Sequence, residues 1–215
     1  MTDLDSANQV RREAWAKEAA SYDKRVGFFE RRIFGREHRP WACSRASGKT
    51  LEVAVGTGLN LPLYPAEVEL VGLDLSPEML AIARKRAAEL NRSIDLREGD
   101  AHALPFEDGT FDTAVCTYSL CNIPDARLAV REMKRVLRAG GRLILVDHIR
   151  SSNKPLFWFQ KAVELLSSRQ GERFTRRPLE HVEAEGFHVL ERDRLGPGGI
   201  VERLVATKGR RRIDT

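Results

Sequence analysis

The chain contains no apolar run that approaches the length of a membrane-spanning helix, which needs about 20 consecutive residues. Its first residues, Met1 to Arg12, are polar and include acids, so we expect no secretory signal. Cysteine is scarce: Cys43, Cys116 and Cys121 form an odd set without metal-ligand spacing. This pattern predicts reduced thiols in a cytoplasmic protein and no metal site.

A strong excess of charge of one sign is also lacking, because 36 basic residues face 31 acidic ones and the net charge is +5. The basic residues concentrate between Lys24 and Arg45 and at the end of the chain. No recognition motif accompanies them, so a nucleic-acid partner is not expected. The mixture of arginine and aromatic residues from Lys24 to Trp41 suits peripheral contact with an anionic membrane. A solvated face whose aromatics pack inward explains it as well, and we prefer that interpretation.

Strand and helix patterns alternate from Gly48 onward. Such alternation predicts a parallel sheet with right-handed crossovers. We therefore expect an α/β, Rossmann-like fold: a seven-stranded, mostly parallel sheet with helices on both faces and an N-terminal helical arm. Helices are predicted over 5–20 and 24–46, and strands over Thr50–Val55, Val68–Leu73, Ile94–Glu98, Phe111–Thr117, Arg142–Asp147, Phe187–Arg192 and Val201–Thr207.

The chain divides into an arm or lid at 1–47, a core domain at 48–208 and a basic tail at 209–215. Residues 149–176 form an insertion on the side of the core where an acceptor would bind. One domain is expected from a chain of 215 residues. The oligomeric state stays open.

A glycine loop, Gly56-Thr57-Gly58, follows the first predicted strand. Glycine permits a sharp turn and close approach of a ligand. A helix expected after the loop would offer free N–H groups to an anion. Asp74, at the end of the second strand, can accept hydrogen bonds from a ribose. These features predict an adenosine-bearing ligand, which a nicotinamide-binding fold would share.

Three further features indicate which adenosine-bearing ligand the chain binds. Leu61 stands where G-x-G-x-x-G has its third glycine, Glu52 precedes the loop by four residues, and Gly99-Asp100-Ala101 closes the third strand. The central region resembles a class I S-adenosylmethionine (SAM)-dependent methyltransferase of the ubiquinone/menaquinone-biosynthesis type, the methyltransferase type 11 family. The matching segments are Leu51–Gly58, Gly72–Leu80, Gly99–Phe106, Phe111–Asp112 and Arg135–Gly141.

The resemblance implies that SAM is the cofactor and S-adenosylhomocysteine the product. It places the methionine end near Glu52 and the glycine loop, the ribose on Asp74, and the adenine amine near Asp100. Ala54 and Asn60 depart from the family's glycines; we expect alanine to cost little in a strand and asparagine to tolerate left-handed geometry. The implied cofactor-binding residues are Tyr22, Glu52, Ala54, Gly56, Thr57, Gly58, Asn60, Asp74, Leu75, Met79, Asp100, Ala101 and Thr117.

A narrower likeness links Val115–Ile123 and Val146–His148 to phosphatidylethanolamine N-methyltransferases and to small alkyl-thiol methyltransferases. His148 and Tyr118 are the candidate catalytic residues, since both fall at the edge of the sheet where ligands bind. A histidine also titrates near neutrality. Cys121 and Trp158 are candidates for binding the substrate.

The sequence therefore predicts an enzyme that methylates a small, apolar or lipid-like molecule, for example a phospholipid amine. A thiol S-methyltransferase and a quinone- or phenol-type C- or O-methyltransferase are the alternatives within the family. A nucleotide-binding oxidoreductase and a non-catalytic SAM-binding module are the alternatives outside it. A cytoplasmic location with peripheral membrane contact is the matching expectation.

Overall fold

A computed structural model describes residues 3–166 and 175–209. Seven strands form one sheet in the order β3-β2-β1-β4-β5-β7-β6. All neighbouring strands are parallel except β7, which runs antiparallel to both β5 and β6. The strands are β1 Lys49–Val53, β2 Glu69–Asp74, β3 Asp95–Glu98, β4 Phe111–Thr117, β5 Leu137–His148, β6 His188–Leu195 and β7 Val201–Thr207.

Within the described residues, six α-helices surround the sheet: α1 Asp3–Phe29, α2 His38–Cys43, α3 Pro77–Glu89, α4 Ala126–Val136, α5 Lys154–Leu166 and α6 Pro178–Ala184. Two separate apolar cores cover its two faces. One core contains residues of α4 and α6, and the other contains residues of α2 and α3. The expected seven-stranded, mostly parallel sheet with helices on both faces is confirmed.

Local sequence signals explain where two of the helices begin. Ser76 accepts a hydrogen bond from the Met79 N–H and Pro77 occupies the first turn of α3. Asp125 caps α4 by accepting from the Leu128 N–H at 2.9 Å. Both caps satisfy backbone donors that a helix start leaves without partners.

The arm differs from the sequence prediction. Instead of separate helices over 5–20 and 24–46, one helix runs through Asp3–Phe29 and continues as a π-helical segment, Glu30–Phe34. Nothing between residues 20 and 24 breaks a helix, because that stretch has no glycine or proline. The break comes at Gly35, with φ of 97°.

The prediction of a helix after the glycine loop was also wrong. In the described stretch between β1 and β2, the only helical element is a 3₁₀ turn, Leu61–Leu63. Pro62 and Pro65 explain this, since each removes a backbone donor and restricts the residue before it. The loop therefore offers glycine backbone to a ligand, and not the amino end of an α-helix.

Strand β5 is longer than the predicted Arg142–Asp147. Leu137 already pairs with Phe111, and the register shifts between Phe111 and Thr113. Gly140, with φ of 77°, takes part in this irregularity and does not end α4. The basic residues 210–212 lie outside the described residues. No helix in the described part of the chain is both long and apolar enough to cross a bilayer.

Candidate active site

A cleft opens at the carboxyl ends of β1, β2 and β4. The helix α1 supplies one wall of it. The walls include nine of the residues expected from the sequence: Tyr22, Ala54, Gly56, Asp74, Leu75, Met79, Asp100, Ala101 and Tyr118. Ten further residues line it: Asn8, Arg11, Trp15, Leu73, Gly99, His102, Ser119, Asn122, Ile123 and Pro124.

The glycine loop presents open backbone to this cleft. Gly56 has φ of 57°, and a side chain built on it would meet nothing within 4 Å. Gly58 lies deeper, where a Cβ would come within 2.7 Å of Leu61. Gly56 therefore allows a ligand to approach the main chain closely, while Gly58 allows the loop to pack on the core.

We expected Ala54 to lie in a strand. It lies outside β1 instead and adopts a left-handed conformation with φ of 58°. That region costs an L-residue roughly 1–2 kcal/mol. Tyr118, across the cleft, also has a positive φ, 52°. Backbone strain of this kind concentrates at functional sites, where the surrounding structure holds it in place.

Asp74 orders the loop from the end of β2. Its Oδ2 accepts the Gly56 N–H at 2.7 Å and its Oδ1 accepts the Ser76 N–H at 2.9 Å. Burial raises the pKa of this carboxyl group, and the backbone hydrogen bonds oppose the rise. Because each carboxylate oxygen accepts more than one hydrogen bond, Asp74 can still receive the hydroxyls of a ribose.

Asp100 is held by His102 of its own loop and by Asn8 of α1. The His102 ring and backbone N–H both contact Asp100 Oδ1, at 2.6 and 2.9 Å. Asn8 of α1 donates to Asp100 Oδ2 at 2.6 Å. Despite partial burial, these hydrogen bonds lower the pKa of the Asp100 carboxyl group. A fixed carboxylate therefore faces the cleft next to Ala101.

Glu52, Asn60 and Thr117 lie behind the cleft wall, in a buried polar network. Asn60 Nδ2 donates to Glu52 Oε1 at 2.6 Å and to Thr117 Oγ1 at 2.9 Å. Asn60 has an ordinary right-handed φ of −84°, so the left-handed geometry expected of it was wrong. Asn60 contributes to the fold through the hydrogen bonds of its side chain and not through a left-handed backbone.

Arg39 of α2 completes this network and was missed by the sequence analysis. It donates to Asn60 Oδ1 at 3.0 Å and to Thr117 Oγ1 at 3.1 Å, and it pairs with Glu30 at 2.6 Å. Arg39 is 9% exposed. A buried guanidinium in contact with several acceptors makes the arm part of the site's electrostatics.

Asp23 also anchors the arm to the glycine loop and to α3. Thr57 donates to Asp23 Oδ1 and Arg86 of α3 donates to Asp23 Oδ2, each at 2.6 Å. The Thr57 side chain therefore holds the arm, while neighbouring Tyr22 faces the cleft. Burial raises the pKa of Tyr22 to about 12, so its phenol keeps its proton.

Tyr118 and His148 belong to a cluster of three aromatic rings. Phe34 of the arm stacks on His148 at 5.6 Å and lies 5.9 Å from Tyr118. The Tyr118 and His148 rings are 6.3 Å apart. Burial raises the pKa of Tyr118, which makes its hydroxyl a hydrogen-bond donor and not a base at neutral pH. Tyr118 lines the cleft, and His148 lies next to it outside the lining.

Cys121 joins His148 at the same end of the sheet. Asp147 accepts the backbone N–H groups of Cys121, at 3.0 Å, and of His148, at 2.8 Å. Side-chain donor atoms of Cys121, Asp147 and His148 lie within 4.8 Å of one another, a set that could hold a metal ion. Spacing along the chain could not reveal this set, because Cys121 is 26 residues from Asp147.

Trp158 is not brought to the cleft. It is 69% exposed on α5, beside Phe159 at 65%. Its ring contacts only its neighbour Phe157 among the aromatic pairs of the described residues. Two aromatics of the insertion, Trp158 and Phe159, therefore face the outside.

Comparison with known proteins identifies the family of this chain. The methyltransferase-domain family matches residues 51–145. The chain is 38% identical to phosphatidylethanolamine N-methyltransferase of Cereibacter sphaeroides, over 71% of this chain and 76% of that protein. The chain belongs to the SAM-dependent methyltransferases.

Two further relatives show the breadth of the family. Demethylmenaquinone methyltransferase of Deinococcus radiodurans is 39% identical over 49% of this chain, and the match spans only about half of that protein, 45%. A crystal structure of a SAM-dependent methyltransferase of Thermotoga maritima superposes with a TM-score of 0.68 at 25% identity, covering 90% of this chain and 98% of that one.

The cleft suits the family's cofactor on structural grounds as well. The open backbone at Gly56, the Asp74 carboxylate and the fixed Asp100 carboxylate follow one another around its wall. Asn8 Oδ1 is buried there, with no partner among the described residues. A polar atom left without a partner beside a cleft is explained if a ligand supplies the missing hydrogen bond.

Proposed function

We propose that this methyltransferase acts on the amine of a phospholipid at the surface of an anionic membrane. The observation that carries the proposal is an exposed surface of aromatic and basic residues. It lies beside the end of the cleft where the rings of Phe34, Tyr118 and His148 cluster. The 38% identity to a phosphatidylethanolamine N-methyltransferase over three quarters of that protein supports the same acceptor.

This surface has two parts. At the end of α1 and in the π-helical segment, Phe28 is 53% exposed, and Phe29 and Ile33 are also exposed. Arg31 and Arg32 are exposed among them. On α5, Trp158, Phe159 and Leu165 face outward. We call residues 28–33 and 158–165 together the aromatic-basic rim.

The first part of the rim borders one loop, Gly196–Gly199, and so does Leu156, two residues before the second part. The Ile33 carbonyl lies 3.8 Å from the Cβ position of Gly196, and Leu156 lies 3.3 Å from that of Gly198. Phe34, next to Ile33, stacks on His148. The rim therefore adjoins the ring cluster at one end of the cleft. Aromatic and basic side chains on one surface suit the interface of an anionic bilayer.

Methyl transfer is an in-line displacement, and SAM, when bound, supplies a methyl group activated by its sulfonium. The chain's main task is to orient the acceptor and exclude water. An ammonium must lose its proton before its lone pair can react. His148 is the side chain we propose for this proton, since Tyr118 stays protonated and can only donate a hydrogen bond.

The test is methyl transfer from labelled SAM to vesicles of phosphatidylethanolamine mixed with an anionic lipid. Matched vesicles that contain phosphatidylcholine instead lack a methylatable amine. The proposal expects label in the monomethyl lipid and none in the matched vesicles. A long-chain thiol and a demethylmenaquinone are assayed in parallel. Transfer to either of these alone would overturn the lipid-amine proposal and select the thiol or the quinone alternative.

A further inference from the structure

Asn8 connects the arm to the adenine end of the cleft. It lies on α1, 92 residues before Asp100 in sequence, and is one of the residues that line the cleft. Asn8 Nδ2 donates to Asp100 Oδ2 at 2.6 Å. Its Oδ1 is buried and has no hydrogen-bond partner among the described residues.

The chemistry of its neighbours determines which way this amide faces. A carboxylate only accepts hydrogen bonds, so the NH₂ group must be the end that faces Asp100. His102 cannot change this arrangement. Its Nε2 accepts the Asp125 N–H at 3.2 Å, so its Nδ1 carries the proton and donates to Asp100 Oδ1 at 2.6 Å. Asn8 Oδ1 must therefore point away from Asp100.

We propose that Asn8 is a specificity-determining residue that reads the adenine base of the cofactor. Its Oδ1 accepts one N–H of the exocyclic amine, next to the Asp100 carboxylate. The other strong donors of the cofactor belong elsewhere, since the family resemblance places the ribose hydroxyls on Asp74 of β2 and the methionine end toward β1. The inference rests on the family's cofactor and not on the proposed acceptor.

An acceptor atom at this place also selects against other bases. A purine with a carbonyl at position 6 would turn an acceptor toward both Asn8 Oδ1 and the Asp100 carboxylate. Sites built to hydrogen-bond a donor reject analogues that lack it, because buried polar groups are then left without partners. The arm would thus contribute to choosing the nucleoside, in addition to covering it.

The experiment measures dissociation constants for S-adenosylhomocysteine and S-inosylhomocysteine by calorimetry. The proteins are the wild type, Asn8→Ala, Asp100→Ala and the double variant. Gln9→Ala is the control on the same helix, since Gln9 is exposed and its side chain donates to exposed Glu13. For S-adenosylhomocysteine, Asn8→Ala is expected to weaken binding about 5- to 10-fold, the effect of one buried hydrogen bond. S-inosylhomocysteine should bind weakly to the wild type and no more weakly to Asn8→Ala.

The double variant separates direct contact from positioning. If Asn8 touches the base, its loss weakens S-adenosylhomocysteine binding further in the Asp100→Ala background. If Asn8 only orients Asp100, its loss has no further effect there, and the proposal fails. An equal loss for both ligands would also overturn it, because a general disturbance of α1 does not distinguish the group at position 6. Thermal melting confirms that each variant is folded.

Discussion

Asn60 Nδ2 lies 2.6 Å from Glu52 Oε1, and this contact joins the first strand to the 3₁₀ turn that follows the glycine loop. Glu52 is 2% exposed, and its Oε2 has no hydrogen-bond partner among the described residues. Burial raises the pKa of Glu52 to about 7, although the hydrogen bond from Asn60 lowers it. The cofactor side of the sheet thus contains a carboxyl group that titrates near neutral pH.

This titration predicts a pH dependence of stability. The pKa of Glu52 is higher in the folded chain than in the unfolded chain, so the folded state holds the proton up to about pH 7. The free energy of unfolding should therefore fall as pH rises from about 5 to 8. Glu52→Gln cannot ionise and keeps the oxygen that Asn60 contacts. We expect the free energy of unfolding of the variant, relative to that of the wild type, to rise by about 2 to 3 kcal/mol over this pH range.

Urea unfolding of both proteins at pH 5, 6, 7 and 8 measures this difference. Burial also raises the pKa of Asp74 and Asp147, but both are present in each protein and cancel in the comparison. A difference between the two proteins that does not change with pH would contradict the prediction.

Ala54 offers a second test, through its backbone. Its φ of 58° is strained for alanine and relaxed for glycine. Ala54→Gly is expected to raise the free energy of unfolding by up to about 1 kcal/mol, with cofactor binding retained. Ala54→Val should lower stability by more than that, because a β-branched residue is poorly accommodated at positive φ. Thermal melts in the presence and absence of S-adenosylhomocysteine measure both. A stabilising valine would show that φ does not limit this position.

Much of the sheet could be predicted because its signals are local. Phe111–Thr117 and Val201–Thr207 were predicted with their observed bounds, since runs of β-branched and apolar residues define strands without reference to the rest of the chain. The Ser76 and Asp125 caps are equally local. The helix predicted after the glycine loop, where the structure has only a 3₁₀ turn, was a different kind of error, because Pro62 and Pro65 were visible in the sequence and outweigh the family pattern.

The sequence pointed to residues of the cleft wall where one segment supplies them and missed those that two distant segments bring together. Gly56 and Asp74 belong to a continuous β-loop-β segment with a recognisable motif. Asn8 and Arg39 reach their partners Asp100 and Thr117 only through tertiary packing, 92 and 78 residues apart. No spacing rule connects such pairs in a single sequence, so the arm's polar contribution could be found only in the structure.

Asp74 provides a test of the cofactor assignment. Asp74→Ala is expected to weaken S-adenosylhomocysteine binding by more than about 100-fold, since hydrogen bonds to a charged acceptor contribute most to affinity. Ser76→Ala is the matched control: it removes the α3 cap and should cost about 1 kcal/mol of stability while the dissociation constant stays nearly unchanged. An equal loss of binding in both variants would mean that loop order, and not the carboxylate, is what the cofactor requires.

His148 can be tested with a substitution that keeps its packing. His148→Phe preserves a ring stacked on Phe34 and removes both nitrogens. We expect turnover to fall about 100-fold in His148→Phe and in His148→Ala, with S-adenosylhomocysteine binding unchanged in both. Tyr118→Phe should reduce turnover less, about 10-fold, because a single hydrogen bond is lost. If His148→Phe retains turnover while His148→Ala loses it, His148 serves packing only.

The aromatic-basic rim predicts where the protein meets a membrane. Arg31→Glu combined with Arg32→Glu should weaken binding to vesicles that contain anionic lipid by at least about 10-fold, since each basic residue near such a surface contributes about 1 kcal/mol. Lys85→Glu combined with Arg142→Glu is the control, because it changes the net charge equally at exposed positions outside the rim. Co-sedimentation with vesicles at low and high salt measures both, and the wild type should bind less at high salt. Equal losses in the two double variants would show that net charge attracts the protein to the membrane without a defined surface, and the rim would then have no role in docking.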